Sequence, residues 1–351
     1  MKKIDERDTM LSRIRYMKND EMYQDYYSRY PEKQAIDDAI RAMPGINAPG
    51  TPTFDPIFSP FADSGFELLN HVKRISKQGA KCQPVEVEPQ VMTMRIKNLV
   101  RYLGASDVKI TRMKPHHYYS HRGRTVENYG QEVGEPYKFG IVFIKEMDRD
   151  MINRAPQLEE MMEVVKAYSD LGFLGAWLSI FIANLGYEAK NNMDMDYLVC
   201  APIVAQDAGL GRIGRAGLLI TPDYGMRVRI GVVTTDLPLL ADEVLDTDMI
   251  SFCEKCNKCA RNCPSNAIDK GEAQDQPQGY YGFTVNQEKC MKMWKIIGTD
   301  CGVCLSSCPF SQGVNPEYWS NLAEHCDQIL KDDKERYGKR NYIKTALPIV
   351  D

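Results

Sequence analysis

Residues 252–264 read FCEKCNKCARNCP, and residues 290–309 read CMKMWKIIGTDCGVCLSSCP. Together they hold eight of the eleven cysteines in a chain of 351 residues. The first run spaces its thiols as Cys253-x2-Cys256-x2-Cys259-x3-Cys263-Pro264. Two-residue gaps let three thiolates wrap one iron–sulfur cube, while the fourth cysteine, carried away by the next turn, ligates another. The second run is looser: Cys290, ten intervening residues, then Cys301-x2-Cys304-x3-Cys308-Pro309. By the same geometry Cys308 returns to complete the first cube. The spacing therefore assigns Cys253, Cys256, Cys259 and Cys308 to one [4Fe–4S] cluster. It assigns Cys263, Cys290, Cys301 and Cys304 to the other. Zinc also binds CxxC pairs, but a zinc site has no need of CxxCxxCxxxCP. Cys82, Cys200 and Cys326 are scattered and read as buried structural thiols.

Outward from these runs, residues 251–315 form a ferredoxin-like two-cluster module, and 316–351 a charged, helical tail. Residues 1–90 are charged and broken by Pro and Gly, so they read as helices and an extended arm lying on a core. Residues 91–250 read as that core. Met92–Leu103 and Leu158–Leu185 have helical spacing, whereas Ala105–Met113, Lys138–Lys145 and Arg227–Thr235 read as strands. The whole is an α/β (α+β) architecture. A hydrophobic share of 43% supports a sizeable interior, and a net charge of −4 gives no general attraction to nucleic acid or anionic membranes. No run reaches the roughly 18 apolar residues of a membrane span. Met1–Tyr16 mixes acids and bases without an apolar stretch, so a cytoplasmic protein is expected.

Gly209-Leu210-Gly211-Arg212-Ile213-Gly214 matches GxGxxG, and Asp236 lies where a ribose-binding acid would sit. A dinucleotide site needs a strand before the glycines and a helix after them. Here Leu218-Leu219-Ile220-Thr221-Pro222 follows, a branched apolar run stopped by proline, which reads as a strand. The glycines still allow a large flat cofactor to approach the backbone closely.

The run DAGLGRIGRAGLLITPDYGMRVR (207–229), continuing to TDLPL (235–239), resembles the core of the reductive dehalogenases. The likeness extends to Ala167-Tyr168-Ser169 and to FIANLGY (181–187), and it covers most of residues 90–315. It implies a nitroreductase-like core holding cobalamin beside the nearer cluster, with Gly209, Gly211, Arg212 and Gly214 against the corrinoid. The chain has no DxHxxG, the loop whose histidine ligates cobalt in other corrinoid proteins, so base-off cobalamin without a protein ligand is implied. By the same resemblance Tyr168 is the proton donor and Arg227 the cation beside it, since a neighbouring cation favours phenolate. Arg229, two positions along the strand, shares the face of Arg227.

The implied reaction removes halide from a small organic molecule, with electrons from a donor such as ferredoxin or flavodoxin. The pocket segment Asn191–Tyr197 is acidic and Met-rich and has no secure match to a haloalkene pocket, so an aryl halide, or a substrate bearing no halogen, stays open. The His116-His117-Tyr118-Tyr119-Ser120-His121 cluster reads as a polar loop, because no cysteine or acid is spaced to complete a metal site. Two alternatives stand beside this reading. An electron carrier or corrinoid-reducing protein needs no buried tyrosine–arginine pair. An epoxyqueuosine-reductase-like tRNA modifier shares the core and the module, but Val199–Val204 lacks the aspartate which that family places there.

Overall fold

The computed structural model describes residues 1–276 and 279–337. Three short helices open the chain: α1 (Met10–Arg13), α2 (Glu21–Arg29) and α3 (Pro31–Arg41), the last started by a proline whose fixed φ suits the first helical position. They enclose buried Tyr16, Tyr23, Tyr26 and Tyr27. Beside this cluster Arg13 donates to Asp37 through Nε at 2.9 Å and Nη2 at 2.7 Å, and Tyr27 Oη donates to the same carboxylate at 2.8 Å. Arg13 also reaches Glu288 at 2.9 Å, tying this N-terminal layer to the cysteine module. Removing one partner of a buried ion pair strands the other, at about 3–5 kcal/mol. Asp37→Ala should lose that much stability in urea denaturation. A loss within about 0.5 kcal/mol, the range of ordinary surface changes, would show that the pair contributes nothing.

Helix α4 (Phe58–Lys73) and strand β1 (Lys77–Gln78) lead to α5 (Pro89–Tyr102), which Glu88 caps by accepting from the Gln90 and Val91 amides. Strands β2 (Asp107–Arg112) and β3 (Phe139–Glu146) follow, then α6 (Arg149–Ile152), the long α7 (Leu158–Asn184) and β4 (Ala189–Asn192). Helix α8 (Ala201–Asp207), the short hairpin β5 (Arg212–Ile213) and β6 (Leu219–Ile220), and β7 (Val228–Thr235) complete the core. The sheet order is β1-β4-β7-β3-β2, antiparallel throughout. Side chains alternate across a strand, so Ile141 and Phe143 of β3 face α5 and α7, whereas Val142 and Ile144 face α8. That two-sided burial explains the unbroken apolar run GIVFI in β3. By length and composition α7 could cross a membrane, yet 56% of its most apolar stretch is buried inside the fold. It packs on α4, β4 and β7 as the central helix.

The GxGxxG loop has a helix before it and a hairpin after it, the reverse of what a dinucleotide site requires. The histidine loop differs from expectation, because tertiary folding brings it an acid. His116 Nε2 and His117 Nε2 lie 3.2 and 3.1 Å from Asp207 Oδ2, and Lys114 Nζ donates to the same oxygen at 2.8 Å. Burial raises the Asp207 carboxyl, but hydrogen bonds from His117 and Lys114 outweigh it and hold the group well below the usual range. This is a hydrogen-bonded strut and not a metal site. His117 Nδ1 accepts the Lys114 amide at 3.1 Å, which leaves its proton on Nε2, facing Asp207, with no lone pair there for a cation.

The C-terminal part comprises α9 (Met249–Cys256), α10 (Lys258–Asn262), α11 (Gln287–Ile297), α12 (Val303–Ser307), α13 (Pro309–Gln312) and α14 (Cys326–Tyr337). Asn257 (φ 52°) and Gly302 (φ 57°) take left-handed turns that reverse the chain between successive cysteines. A buried Lys258–Asp333 ion pair binds α10 to α14. The expected helical tail is present as α14, and its residues 338–351 lie outside the described residues.

Candidate active site

The eight clustered cysteines fall on two cavities. Cys253, Cys256, Cys259 and Cys308 line a small one with Arg215, Phe252 and Phe310. Cys263, Cys290, Cys301 and Cys304 line one end of a second, about 600 Å³ in volume. All eight are free thiols. Quartets of soft thiolates with no nitrogen or carboxylate ligand suit iron–sulfur clusters. Cys253 and Cys256 sit on α9, and the left-handed Asn257 turns the chain so that Cys259 follows on α10.

The large cavity lies within the 300–1,000 Å³ usual for small-molecule and cofactor pockets. Its walls come from distant parts of the chain: Phe66 of α4, Glu160 and Tyr168 of α7, Arg229 of β7, and Asp300 beside the cysteines. The Arg229 guanidinium carbon sits 5.0 Å from the Tyr168 ring centroid, and its Nη2 donates to Asp300 Oδ2 at 3.3 Å. Burial opposes the charge of Arg229, but Tyr168, Asp300 and Glu160 outweigh it and raise its pKa above the ordinary value. Burial, and then Asp300, push the Glu160 carboxyl well above the usual range. Both Glu160 carboxylate oxygens, Arg229 Nε, Asp300 Oδ1 and Arg124 Nε are buried without a protein hydrogen-bond partner. Buried polar groups in native proteins are nearly always partnered, so these orphans around an otherwise apolar cavity fit a large polar-edged ligand. None of the five histidines lines the cavity.

Two sequence expectations need correction. Arg227 was expected beside Tyr168, and the structure puts it elsewhere. Its Nε donates to Ser311 O at 2.6 Å and its Nη1 to Glu146 Oε1 at 2.9 Å, clipping the cysteine module to the end of β3. The cause is local: the Val228 amide donates to Met226 O at 2.8 Å, a γ-turn-like contact that breaks the period of two just before β7 begins. The glycine loop was expected against the corrinoid, but Gly209, Gly211, Arg212 and Gly214 do not line the large cavity. A Cβ at Gly209 (φ 84°) would fall 2.1 Å from Glu243 O, and one at Gly211 2.2 Å from Ile220 O. The close approach is to the chain's own backbone. Gly214 instead packs on Ile220, with the Cys253 sulfur 3.3 Å from an added Cβ.

Residues 252–312 match the 4Fe-4S dicluster domain. The tetrachloroethene reductive dehalogenase of Sulfurospirillum multivorans is 35% identical over 214 residues, covering 56% of this chain and 41% of that protein. Over that stretch the chain is similar to reductive dehalogenases. A solved reductive dehalogenase, described for B12-dependent dehalogenation, superposes with a TM-score of 0.74 at 24% identity over 87% of this chain and 46% of its own. A catabolic reductive dehalogenase in complex with 3-bromo-4-hydroxybenzoic acid gives a TM-score of 0.74 at 22% identity, covering 97% of this chain and 49% of that one. These superpositions show the fold. The epoxyqueuosine reductase of Lactococcus garvieae is a more distant relative, 28% identical over 120 residues that make up 33% of each protein. The chain thus spans half or less of the length of these dehalogenase relatives.

Sequence reasoning missed Arg229 as the neighbour of Tyr168, and Glu160 and Asp300 altogether. Glu160 carried a signal: an acid in the apolar run of α7, on a helix otherwise bound for the core. The two quartets predict about eight irons and eight acid-labile sulfides per chain after anaerobic reconstitution. Cys256→Ser and Cys304→Ser should each impair a different cluster, read as different losses in the paramagnetic resonance of the reduced protein. Identical spectra from the two variants, or stoichiometric zinc without sulfide, would overturn the assignment.

Proposed function

We propose that this chain is a corrinoid-dependent reductase that removes halide from a small organic substrate. One observation carries the reading: a single cavity joins the Cys263, Cys290, Cys301 and Cys304 quartet to the Tyr168–Arg229 pair. The overall reaction breaks a carbon–halogen bond, forms a carbon–hydrogen bond, consumes two electrons and one proton, and releases halide. When bound, two clusters and base-off cobalamin would supply the low-potential electrons, drawn from a donor such as ferredoxin or flavodoxin. The protein's own work is proton delivery and exclusion of water. Tyr168 Oη gives up the proton, and the Arg229 cation at its ring stabilises the phenolate left behind. Asp300 holds Arg229 in place at 3.3 Å. Met161, Val164 and Phe66 give the cavity an apolar wall, which strengthens these charges by keeping water out. The five-stranded antiparallel sheet with its central helix is read as the nitroreductase-like core that carries the site.

The names of the relatives set the substrates to test. Protein purified without oxygen, and reconstituted with iron, sulfide and cobalamin, should retain corrinoid through gel filtration. It should release halide from tetrachloroethene or 3-bromo-4-hydroxybenzoic acid with a chemical reductant. The cobalt(II) resonance should show no nitrogen splitting from an axial ligand. Failure to retain cobalamin, or release no faster than free cobalamin with the same reductant, would sink the proposal.

A further inference from the structure

Among the described residues Arg215 is the largest fully buried side chain, with 1% of its surface exposed. The buried Arg13 and Arg227 each hold a carboxylate: Arg13 has Asp37 at 2.7 Å, and Arg227 has Glu146 at 2.9 Å. Arg215 has none within ion-pair distance among the described residues. Its Nε donates to Cys253 O at 3.0 Å, and Nη1 donates to Asp269 O and Gly271 O, both at 2.7 Å. The guanidinium carbon lies 4.1 Å from the Phe283 ring centroid. These partners orient the group, and Nη2 meets no protein acceptor among the described residues. Carbonyls and a ring face carry only partial negative charge, so a full cation remains uncompensated in the interior, a costly arrangement.

The missing anion has an evident place. Arg215 lines the small cavity together with Cys253, Cys256, Cys259 and Cys308. A cube held by four thiolates is an anion, and reduction adds one further negative charge. A fixed cation beside it stabilises the reduced form more than the oxidised one. Net charge and hydrogen bonding at the sulfurs are among the factors that set such potentials.

We propose that Arg215 is the built-in counter-charge of the cluster held by Cys253, Cys256, Cys259 and Cys308, and that it raises the reduction potential of that cluster alone. The inference rests on the cluster assignment made above. Arg215 acts here as a tuning and positioning residue, lining the small cavity and not the one that holds Tyr168. Its effect falls on the ease with which electrons enter the chain of clusters.

The test is a redox titration of the reconstituted protein followed by paramagnetic resonance, with iron and sulfide measured on the same samples. Those analyses separate failure of the cluster assignment from failure of the tuning role. Arg215→Gln should reduce the reduced-to-oxidised ratio of one cluster at least tenfold at fixed potential, a shift of about 59 mV for a one-electron couple. The other cluster should not move. Arg215→Lys should keep most of the wild-type potential, since it retains the charge while losing the planar fork. Unchanged potentials in Arg215→Gln with both clusters present would overturn the proposal. An equal fall in Arg215→Lys would also overturn it, by showing that packing and not charge is responsible. If either variant binds only one cluster, Arg215 is a structural support and the tuning role fails.

Discussion

Tyr168→Phe is expected to lower halide release by about 10²–10⁴-fold, the usual cost of removing a positioned acid, while clusters and corrinoid stay bound. The substitution deletes one hydroxyl and keeps the ring, so the packing of Tyr168 against Phe66 (centroids 6.4 Å apart) and under Arg229 survives. Loss of rate at constant iron, sulfide and cobalamin content would therefore report proton delivery. The assay uses a chemical reductant, which removes any dependence on the native electron donor. Near wild-type turnover by the Phe variant would make Tyr168 a core tyrosine and end the site assignment.

Arg229→Ala should slow turnover by about 10²–10³-fold, on the scale of losing one preorganised electrostatic partner. Arg229→Lys should recover part of that rate, because a point charge still favours phenolate without the planar fork. Arg227→Ala is the contrasting variant. It removes the bonds to Ser311 and Glu146 that clip the cysteine module to β3, so it should cost about 1–3 kcal/mol of stability and leave turnover per folded molecule intact. The pair of measurements is rate per corrinoid and urea midpoint for each variant. A dead but stable Arg227→Ala beside an active Arg229→Ala would reverse the geometry argued here.

Three strands and two helices of the core were legible because each has a strong local signal: the apolar runs GIVFI within β3 and RIGVVTT in β7, and the apolar spacing of α7. Tyr168 could be singled out by resemblance, and it does line the cavity. Its partner could not be chosen. Arg227 and Arg229 share a face only if the backbone is extended through both, and the turn at Met226–Val228 ends that extension. The glycine loop misled for a related reason. Glycines show that something comes close, and only the fold shows that the close neighbours are Glu243 and Ile220.

What the sequence by itself determined is the cysteine module. Two- and three-residue gaps fix how many thiolates one turn of chain can present to one cube, and nothing distant alters that count. Asp207 closing on His116 and His117, and Glu160 meeting Asp300 and Arg229, were decided only by tertiary structure. Each joins side chains between 69 and 140 positions apart, through strand pairing and helix packing. A charge in a sequence has no partner until folding supplies one, and the choice depends on which faces the sheet and α7 turn inward. Arg215 shows the same limit: one basic residue among 44 Lys and Arg is set apart only because the fold buries it and leaves it without an acid.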